Sequence, residues 1–166
     1  MRHAWLIGLC LLLAACAAQT PLLAPSPALV VALPLALQVQ RQQVATQQTW
    51  WLVLQNEPEG LRASLFDPLG VPLARQVLRA GQWQNDGLLP PNAEARELFS
   101  ALLFALTPDA QLPRQYPVDH WRLDADGTRW LNPQWRIRYR APLDFTLNRS
   151  PDLIYQVSPL PDDKAP

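Results

Sequence analysis

Hydrophobic and polar positions alternate with a period of two along most of this chain, which is the pattern of β-strands with one face toward a core. In the run 48–55, for example, Trp50 and Leu52 share one face and Trp51 lies on the other. We expect about nine strands, arranged as an antiparallel meander. The alternating runs are 35–40, 48–55, 61–65, 71–80, a short run around Trp83, the hairpin 121–131, and 134–140, 143–147 and 153–157.

Two turn signals stand between neighbouring runs. Asp67-Pro68-Leu69-Gly70 separates the third run from the fourth, and Asp124-Ala125-Asp126-Gly127 contains the Asp-Gly pair that favours a tight hairpin. Both signals support direct antiparallel connections between strands that follow one another in the chain.

The period changes once, between 92 and 106, to the three-and-four spacing of an amphipathic helix. Asn92 is a good N-cap, and Glu94 and Glu97 suit the positive end of the helix dipole. Pro108 ends the segment. An apolar stripe needs a surface to cover. We therefore predict an α+β fold in which one or more helices, this one included, pack in the concave face of a strongly curved antiparallel sheet.

The first sixteen residues have the organisation of a secretion signal. A short basic start precedes an apolar run, 4–13, that is about half the length needed to span a bilayer. Leu13-Ala14-Ala15-Cys16 resembles the bacterial lipobox, in which the cysteine thiol receives lipid, so Cys16 is the predicted attachment site for acyl groups such as palmitate. Cys10 fits worse, because Leu9 occupies a position that must be small.

The residues after Cys16 are small and rich in proline, which is typical of an extended tether. The alternative is an irregular first piece of the domain. Ala17, rather than aspartate, follows the cysteine; by resemblance to the sorting rule of enterobacterial lipoproteins, this favours the outer membrane, facing the periplasm. The predicted organisation is a signal peptide over 1–15, a lipidated cysteine and tether over 16–34, a folded domain over 35–160 and a tail over 161–166.

Composition excludes several classes of function. The 14 basic and 14 acidic side chains cancel, and Lys164 is the only lysine, so neither nucleic-acid binding nor a polybasic membrane patch is expected. Two cysteines and two histidines are too few for a zinc module of the usual spacing. We expect no metal and no cofactor.

The residues that could support catalysis lack the right context. His120 follows Asp119, but no serine stands in a Gly-x-Ser-x-Gly elbow. Asp124 and Asp126 begin like a calcium loop, yet the position of its bidentate glutamate is occupied by Trp135. A polar hairpin turn explains the two aspartates better. We predict no catalytic residues and no enzyme activity.

One strand carries a row of arginines. Arg136, Arg138 and Arg140 share a face of the run 134–140, where they could hold phosphate or acidic lipid head groups. The more common alternative is the solvated face of an amphipathic strand. Asp144 falls on the same face of the next run and is a cross-strand partner for this row.

The large apolar side chains are the more informative set. Six of the seven tryptophans lie beyond Cys16, and large aromatic and leucine side chains on the inner faces could line an apolar ligand cavity between sheet and helix. The cavity candidates are Leu37, Trp50, Leu52, Leu65, Leu98, Leu102, Leu106, Trp135, Ile137, Tyr139 and Phe145.

These features together resemble a known family. The lipobox, the strand–turn–strand segment 61–73 with its Pro68-Leu69-Gly70 turn, the Leu-Leu-Pro-Pro before the helix and the late hairpins are similar to the outer-membrane lipoprotein receptor LolB and its relatives. They are more similar still to LolB-like lipoproteins found beside bacterial fatty-acid and aryl-polyene synthesis genes. The resemblance spans nearly all of 35–160.

The resemblance implies a half-open antiparallel barrel around lid helices, with an apolar interior for acyl chains. In that family the Pro-Leu-Gly turn exposes a leucine that helps to deliver lipoproteins into the membrane, a role that maps onto Leu69 between Pro68 and Gly70. The implied partners are lipid or lipoprotein cargo, the inner leaflet of the outer membrane and a LolA-like periplasmic carrier.

Two hypotheses follow. The first is a non-enzymatic outer-membrane lipoprotein that binds acyl chains or lipoprotein cargo in an apolar cavity and transfers it to the membrane. The second is a lipid-anchored scaffold or assembly factor that docks another envelope protein through its exposed apolar loop and its arginine face.

Overall fold

The computed structural model describes residue 23, residues 27–132 and residues 134–160. It has ten strands, one more than expected, and two helices, so the predicted α+β class is confirmed. The helices are α1 (Ala93–Ala105) and α2 (Leu112–Gln115), with single 3-10 turns at Asp109–Gln111 and Val118–His120. The strands are β1 (Leu35–Gln43), β2 (Thr46–Glu57), β3 (Gly60–Phe66), β4 (Pro72–Arg79), β5 (Gln82–Asn85), β6 (Trp121–Leu123), β7 (Arg129–Leu131), β8 (Trp135–Ala141), β9 (Asp144–Ser150) and β10 (Leu153–Pro159).

All ten strands form one sheet, with the order β5-β4-β3-β2-β1-β10-β9-β8-β7-β6. It consists of two antiparallel meanders joined where β1 pairs with β10, so that Val39 lies between Trp50 and Val157. Within the described residues β5 and β6 are edges that do not pair with each other, and the sheet is open. The segment between them holds both helices.

The register gives the sheet two distinct ends. The upper end holds the β1–β2, β3–β4, β7–β8 and β9–β10 connections. The lower end holds the β2–β3, β4–β5, β6–β7 and β8–β9 connections. Helix α1 starts at the upper end, where Glu94 bonds to Arg41 of β1, and finishes at the lower end, where Arg129 of β7 bonds to its last carbonyls.

The core contains the predicted inner faces of the strands. Leu52 is fully buried whereas its neighbour Trp51 is exposed, as the alternation predicts. Helix α1 is buried on almost every side: ten of its thirteen residues are buried, including Glu97 and Ser100. A helix that is apolar nearly all round needs cover from several directions.

Strands from both halves of the sheet contact this helix. The indole Nε1 of Trp83, in β5, donates to Ser100 Oγ at 3.0 Å. From the other half, the guanidinium of Arg129 in β7 donates to Phe104 O at 3.1 Å. Helix α1 also begins as predicted, since the Asn92 side chain accepts the Ala95 N–H at 2.9 Å.

The β2–β3 turn depends on a glycine. A Cβ added to Gly60, at φ +155°, would lie 2.0 Å from the carbonyl oxygen of Leu78, which is backbone and cannot swing away. We therefore expect Gly60→Ala to lower the free energy of unfolding by about 2 to 3 kcal/mol in urea denaturation. Gly87→Ala is the matched control: Gly87 also has positive φ, but its Cβ would meet nothing within 4 Å, so the loss should be about 1 kcal/mol. Equal losses for the two variants would show that the close approach is unimportant.

Candidate functional site

The turn that carries Leu69 is closed by hydrogen bonds and presents this side chain to solvent. Leu69 is 89% exposed. The Asp67 carboxylate accepts the Leu69 N–H at 2.9 Å and the Val71 N–H at 2.8 Å. Gly70 has φ +82°, and its N–H bonds to the Asp67 carbonyl at 3.0 Å. Pro68 and Gly70 therefore shape a turn whose tip is an exposed leucine.

The predicted cavity residues form the interface between α1 and the sheet. Three of them line clefts: Trp50 and Leu65 face one beside the start of α1, and Tyr139 faces another beside its end. The other eight pack in the core and are at most 2% exposed; they are Leu37, Leu52, Leu98, Leu102, Leu106, Trp135, Ile137 and Phe145. Leu98 and Leu102 belong to α1 and Leu106 caps its end, whereas the other predicted residues belong to strands of the sheet.

Polar contacts hold the start of α1, and we call them the upper latch. Glu94 accepts from Arg41 Nε at 2.6 Å and from the Tyr155 hydroxyl at 2.6 Å. One turn further on, Glu97 pairs with Arg149 of β9 at 2.8 Å. The three strands β1, β9 and β10 thus bind the first two turns of the helix through its carboxylates.

The environment of Glu94 favours its charged form. Burial opposes ionisation, but the hydrogen bonds from Arg41 and Tyr155 outweigh it, and the pKa of Glu94 is lowered. Burial, reinforced by the Glu94 carboxylate, raises the pKa of Tyr155. The hydroxyl therefore remains a donor to Glu94 throughout the neutral range.

The lowered pKa gives a pH-dependent prediction. A carboxyl whose pKa is lower in the folded state stabilises the fold above its unfolded value of 4.5, and this contribution is lost as pH falls through the folded value. Glu94→Gln should lower the free energy of unfolding by about 1 kcal/mol at pH 7, with the deficit shrinking below pH 4.5. Glu59 is a more exposed carboxylate, paired with Arg79, so Glu59→Gln should lower the free energy of unfolding by less at pH 7. Urea denaturation over a pH series measures both, and a deficit that grows in acid would contradict the latch.

A buried arginine holds the end of α1, and we call its contacts the lower latch. The Arg129 Nη1 donates to the carbonyls of Phe104, Ala105 and Thr107 at 3.1, 3.2 and 2.8 Å. Its Nη2 pairs with Asp109 at 2.7 Å. The positive charge lies where the helix dipole is negative, and it satisfies carbonyls that have no partner within the helix.

Other groups complete the lower latch. The Tyr139 hydroxyl donates to Ala105 O at 2.8 Å, and the Val30 N–H donates to Leu106 O at 2.8 Å. Burial raises the pKa of Tyr139, which keeps this donor protonated. Sequence reasoning did not single out Arg129 for any role. The alternation of the strand did indicate an inward position, because Arg129 is two residues before the inward-facing Leu131 and so lies on the same face.

Two clefts are lined in part by α1, and another lies at the lower end of the sheet. One of about 610 Å³ opens at the lower end between Val30, Leu123, Arg129 and Tyr139. A second cleft, of about 500 Å³, lies between residues 27–33 and the lower ends of β3 and β4. A third of about 200 Å³ lies at the upper end, below the Leu69 turn, and includes Trp50, Leu65, Leu73 and Glu94. The first cleft includes Ala105 of α1, and the third includes Glu94 and Ala95.

The remaining polar candidates serve local structure. His120 Nε2 lies 3.8 Å from Asp119, and Ser100 donates to Arg96 O inside the helix. Asp124 accepts from Trp130 and Arg122, both at 2.7 Å, and these bonds lower its pKa. No cluster of three metal-ligating side chains occurs in the described ranges.

The arginine row is on the outer side of the sheet. Arg138 is exposed, and Arg136 stacks over Trp130 with 5.7 Å between guanidinium carbon and ring centre. The expected cross-strand pair is present, because Arg140 Nη2 lies 3.1 Å from Asp144. The row therefore does not contribute to the space around α1.

Membrane attachment was predicted at Cys16, which lies outside the described residues. Among the residues that the structure describes, no helix is long and apolar enough to cross a membrane. Comparison with curated proteins found no match. A family model described as a protein of unknown function, DUF3261, matches residues 35–148, from β1 through most of β9. The chain therefore belongs to the DUF3261 family.

Proposed function

We propose that this protein is an outer-membrane lipoprotein that takes an acyl chain into the space now filled by α1 and passes it to the membrane. The observation that carries the proposal is that α1 is buried nearly all round, yet is held at both ends by polar groups. A helix of this kind acts as an internal plug that a more extended apolar ligand could replace.

The dimensions support a half-open barrel of the LolA/LolB type. Ten flat strands would span about 43 Å, whereas a helix with its side chains is about 10 Å wide. Contacts from both β5 and β7 to one helix are therefore best accounted for by a sheet that curves around it, with α1 in the concave face.

The lining suits an acyl chain. The inner-face residues that contact α1 are leucine, isoleucine, valine and aromatic side chains from both meanders. If α1 withdrew, a slot about 20 Å long would open, which is the length of thirteen helical residues. Each methylene group buried there contributes about 0.8 kcal/mol, which offsets the lost packing of the helix.

The two latches support reversible opening. Glu94 and Asp109 are partly exposed, so water can replace their contacts to Arg41 and Arg129 when the helix leaves. No nucleotide site is required if cargo moves down a gradient of affinity from a LolA-like carrier to the membrane. The exposed Leu69 turn is the proposed delivery element at the outer membrane.

The test uses a chain that begins at Leu23 and so keeps all described residues. We expect co-purified lipid by native mass spectrometry and saturable binding of a fluorescent fatty acid that palmitate displaces. Glu94→Gln should speed uptake by weakening the upper latch, whereas Glu59→Gln should not. A consistently empty protein that binds no fatty acid would overturn the proposal.

The competing proposal is a lipid-anchored scaffold. It is favoured by the exposed Trp51 and Arg138 on the outer side of the sheet. Crosslinking in cells separates the two proposals. A scaffold should trap one stable protein partner through these residues, and Trp51→Ala with Arg138→Ala should abolish that adduct while leaving fatty-acid binding intact.

A further inference from the structure

Aliphatic side chains project from three connections at the upper end. Leu69 and Val71 are 89% and 52% exposed in the β3–β4 turn, Val44 is 77% exposed in the β1–β2 turn, and Leu88 is fully exposed between β5 and α1. These connections are successive along the order β5-β4-β3-β2-β1. At about 4.8 Å per strand, neighbouring connections are about 10 Å apart.

The lower end is more polar. Ion pairs join its strands and turns, including Arg79 with Glu59 at 2.5 Å, Arg122 with Asp124 at 2.7 Å and Arg140 with Asp144 at 3.1 Å. The most exposed aliphatic side chains therefore lie at the upper end, since the exposed ones at the lower end, Val30 and Leu123, reach only 43% and 42%. Such a division indicates that the two ends meet different surroundings.

Every backbone N–H group of the Leu69 turn, residues 67–71, has a hydrogen-bond acceptor within the turn. The Asp67 side chain accepts the N–H groups of Leu69 and Val71, the Asp67 carbonyl accepts that of Gly70, and Val71 O accepts that of Asp67. Pro68 has no N–H. The Val44 N–H is likewise bonded, to Asp152 O at 3.2 Å. Hydrocarbon offers no acceptor for a free N–H group. A turn whose N–H groups are all hydrogen-bonded therefore has the lowest free-energy cost of entering lipid.

The chain before the domain is long enough to bring this end to a membrane. Pro27 lies at the lower end, beside Gly60. The eleven peptide units from Cys16 to Pro27 can extend about 36 Å, and the nine residues of β1 span about 30 Å. An anchor at Cys16 therefore allows the upper end to face the same bilayer.

We propose that the upper end is a membrane-docking surface that inserts Val44, Leu69, Val71 and Leu88 into the boundary of a phospholipid bilayer. The inference rests on the proposed function, since delivery requires an opening next to lipid. The third cleft, with Trp50 and Leu65, lies directly below the Leu69 turn and provides that opening.

The experiment uses the full chain made in cells and places the photocrosslinker benzoylphenylalanine at position 44, 69 or 88. Positions 59 and 123, at the lower end, are the controls. After irradiation of isolated membranes, phospholipid adducts are measured by mass spectrometry. We expect yields about tenfold higher at the three upper positions, the factor that corresponds to burial of one aliphatic side chain.

A second variant tests cooperation between the connections. Leu69→Glu should lower the lipid adduct at position 44 about tenfold, whereas Leu123→Glu, at the lower end, should leave it unchanged. Equal lipid yields at both ends, or one discrete protein adduct at the upper end, would overturn the docking surface. Lipid carried inside the protein is measured separately, so a loaded chain without upper-end adducts overturns this inference alone. An empty chain with such adducts overturns only the proposed function.

Discussion

Replacing Arg129 by methionine should lower the free energy of unfolding by about 3 kcal/mol, because the carbonyls at the end of α1 lose their donor. Thr107 O would remain buried without a partner, which costs about 1 to 3 kcal/mol, whereas Phe104 O would keep the Thr107 N–H. The negative end of the helix dipole would also lose its adjacent positive charge, which contributes up to about 2 kcal/mol in a buried setting. Ala105 O keeps the Tyr139 hydroxyl. Asp109 is largely exposed and can be hydrated. Urea denaturation of the purified domain measures the loss.

Arg138→Met is the matched control, because it removes the same side chain from an exposed position on β8. Its effect should stay within about 0.5 kcal/mol. Arg129→Lys should recover part of the stability, since lysine keeps the charge but cannot reach three carbonyls and Asp109 together. If both methionine variants have the same stability, Arg129 does not hold the helix.

Leu102→Ala should have a comparable or larger effect, about 3 to 4 kcal/mol. Leu102 is fully buried in the middle of α1, and its truncation removes apolar contacts and leaves a cavity between helix and sheet. Leu88→Ala removes the same atoms from a fully exposed side chain and should be nearly neutral. The two variants are compared by urea denaturation.

The Leu102 variant also bears on function. A cavity beside α1 should increase the affinity for a fatty acid, because less helix packing has to be given up when the chain enters. The stability loss and the affinity gain should therefore occur together. A destabilised variant with unchanged fatty-acid affinity would argue that ligand does not enter beside the helix.

Much of the fold could be predicted because its physical signals are local. Alternation placed Leu52 inward and Trp51 outward, and the Asn92 cap fixed the start of α1. The Asp67 to Gly70 turn was recognisable from residue types that favour tight turns. Each of these features depends on residues that are close together in the chain.

The site itself depends on contacts between distant segments. Arg41 and Glu94 are 53 positions apart, so no pattern in the sequence indicates their hydrogen bond. Helix α2 has only four residues and no periodicity to detect. Residues 27–34 suggested a tether by composition, yet Leu29 and Leu33 pack against the core and Val30 bonds to Leu106.

The central claim is that α1 occupies the binding site for an acyl chain, and photolabelling with a diazirine fatty acid tests it most directly. After irradiation of the domain with the labelled acid and digestion, the account predicts adducts on inner-face residues such as Leu37, Leu52 and Ile137, and their loss when excess palmitate is added. Adducts confined to outer-face residues such as Trp51 and Val53, or none that palmitate displaces, would contradict it.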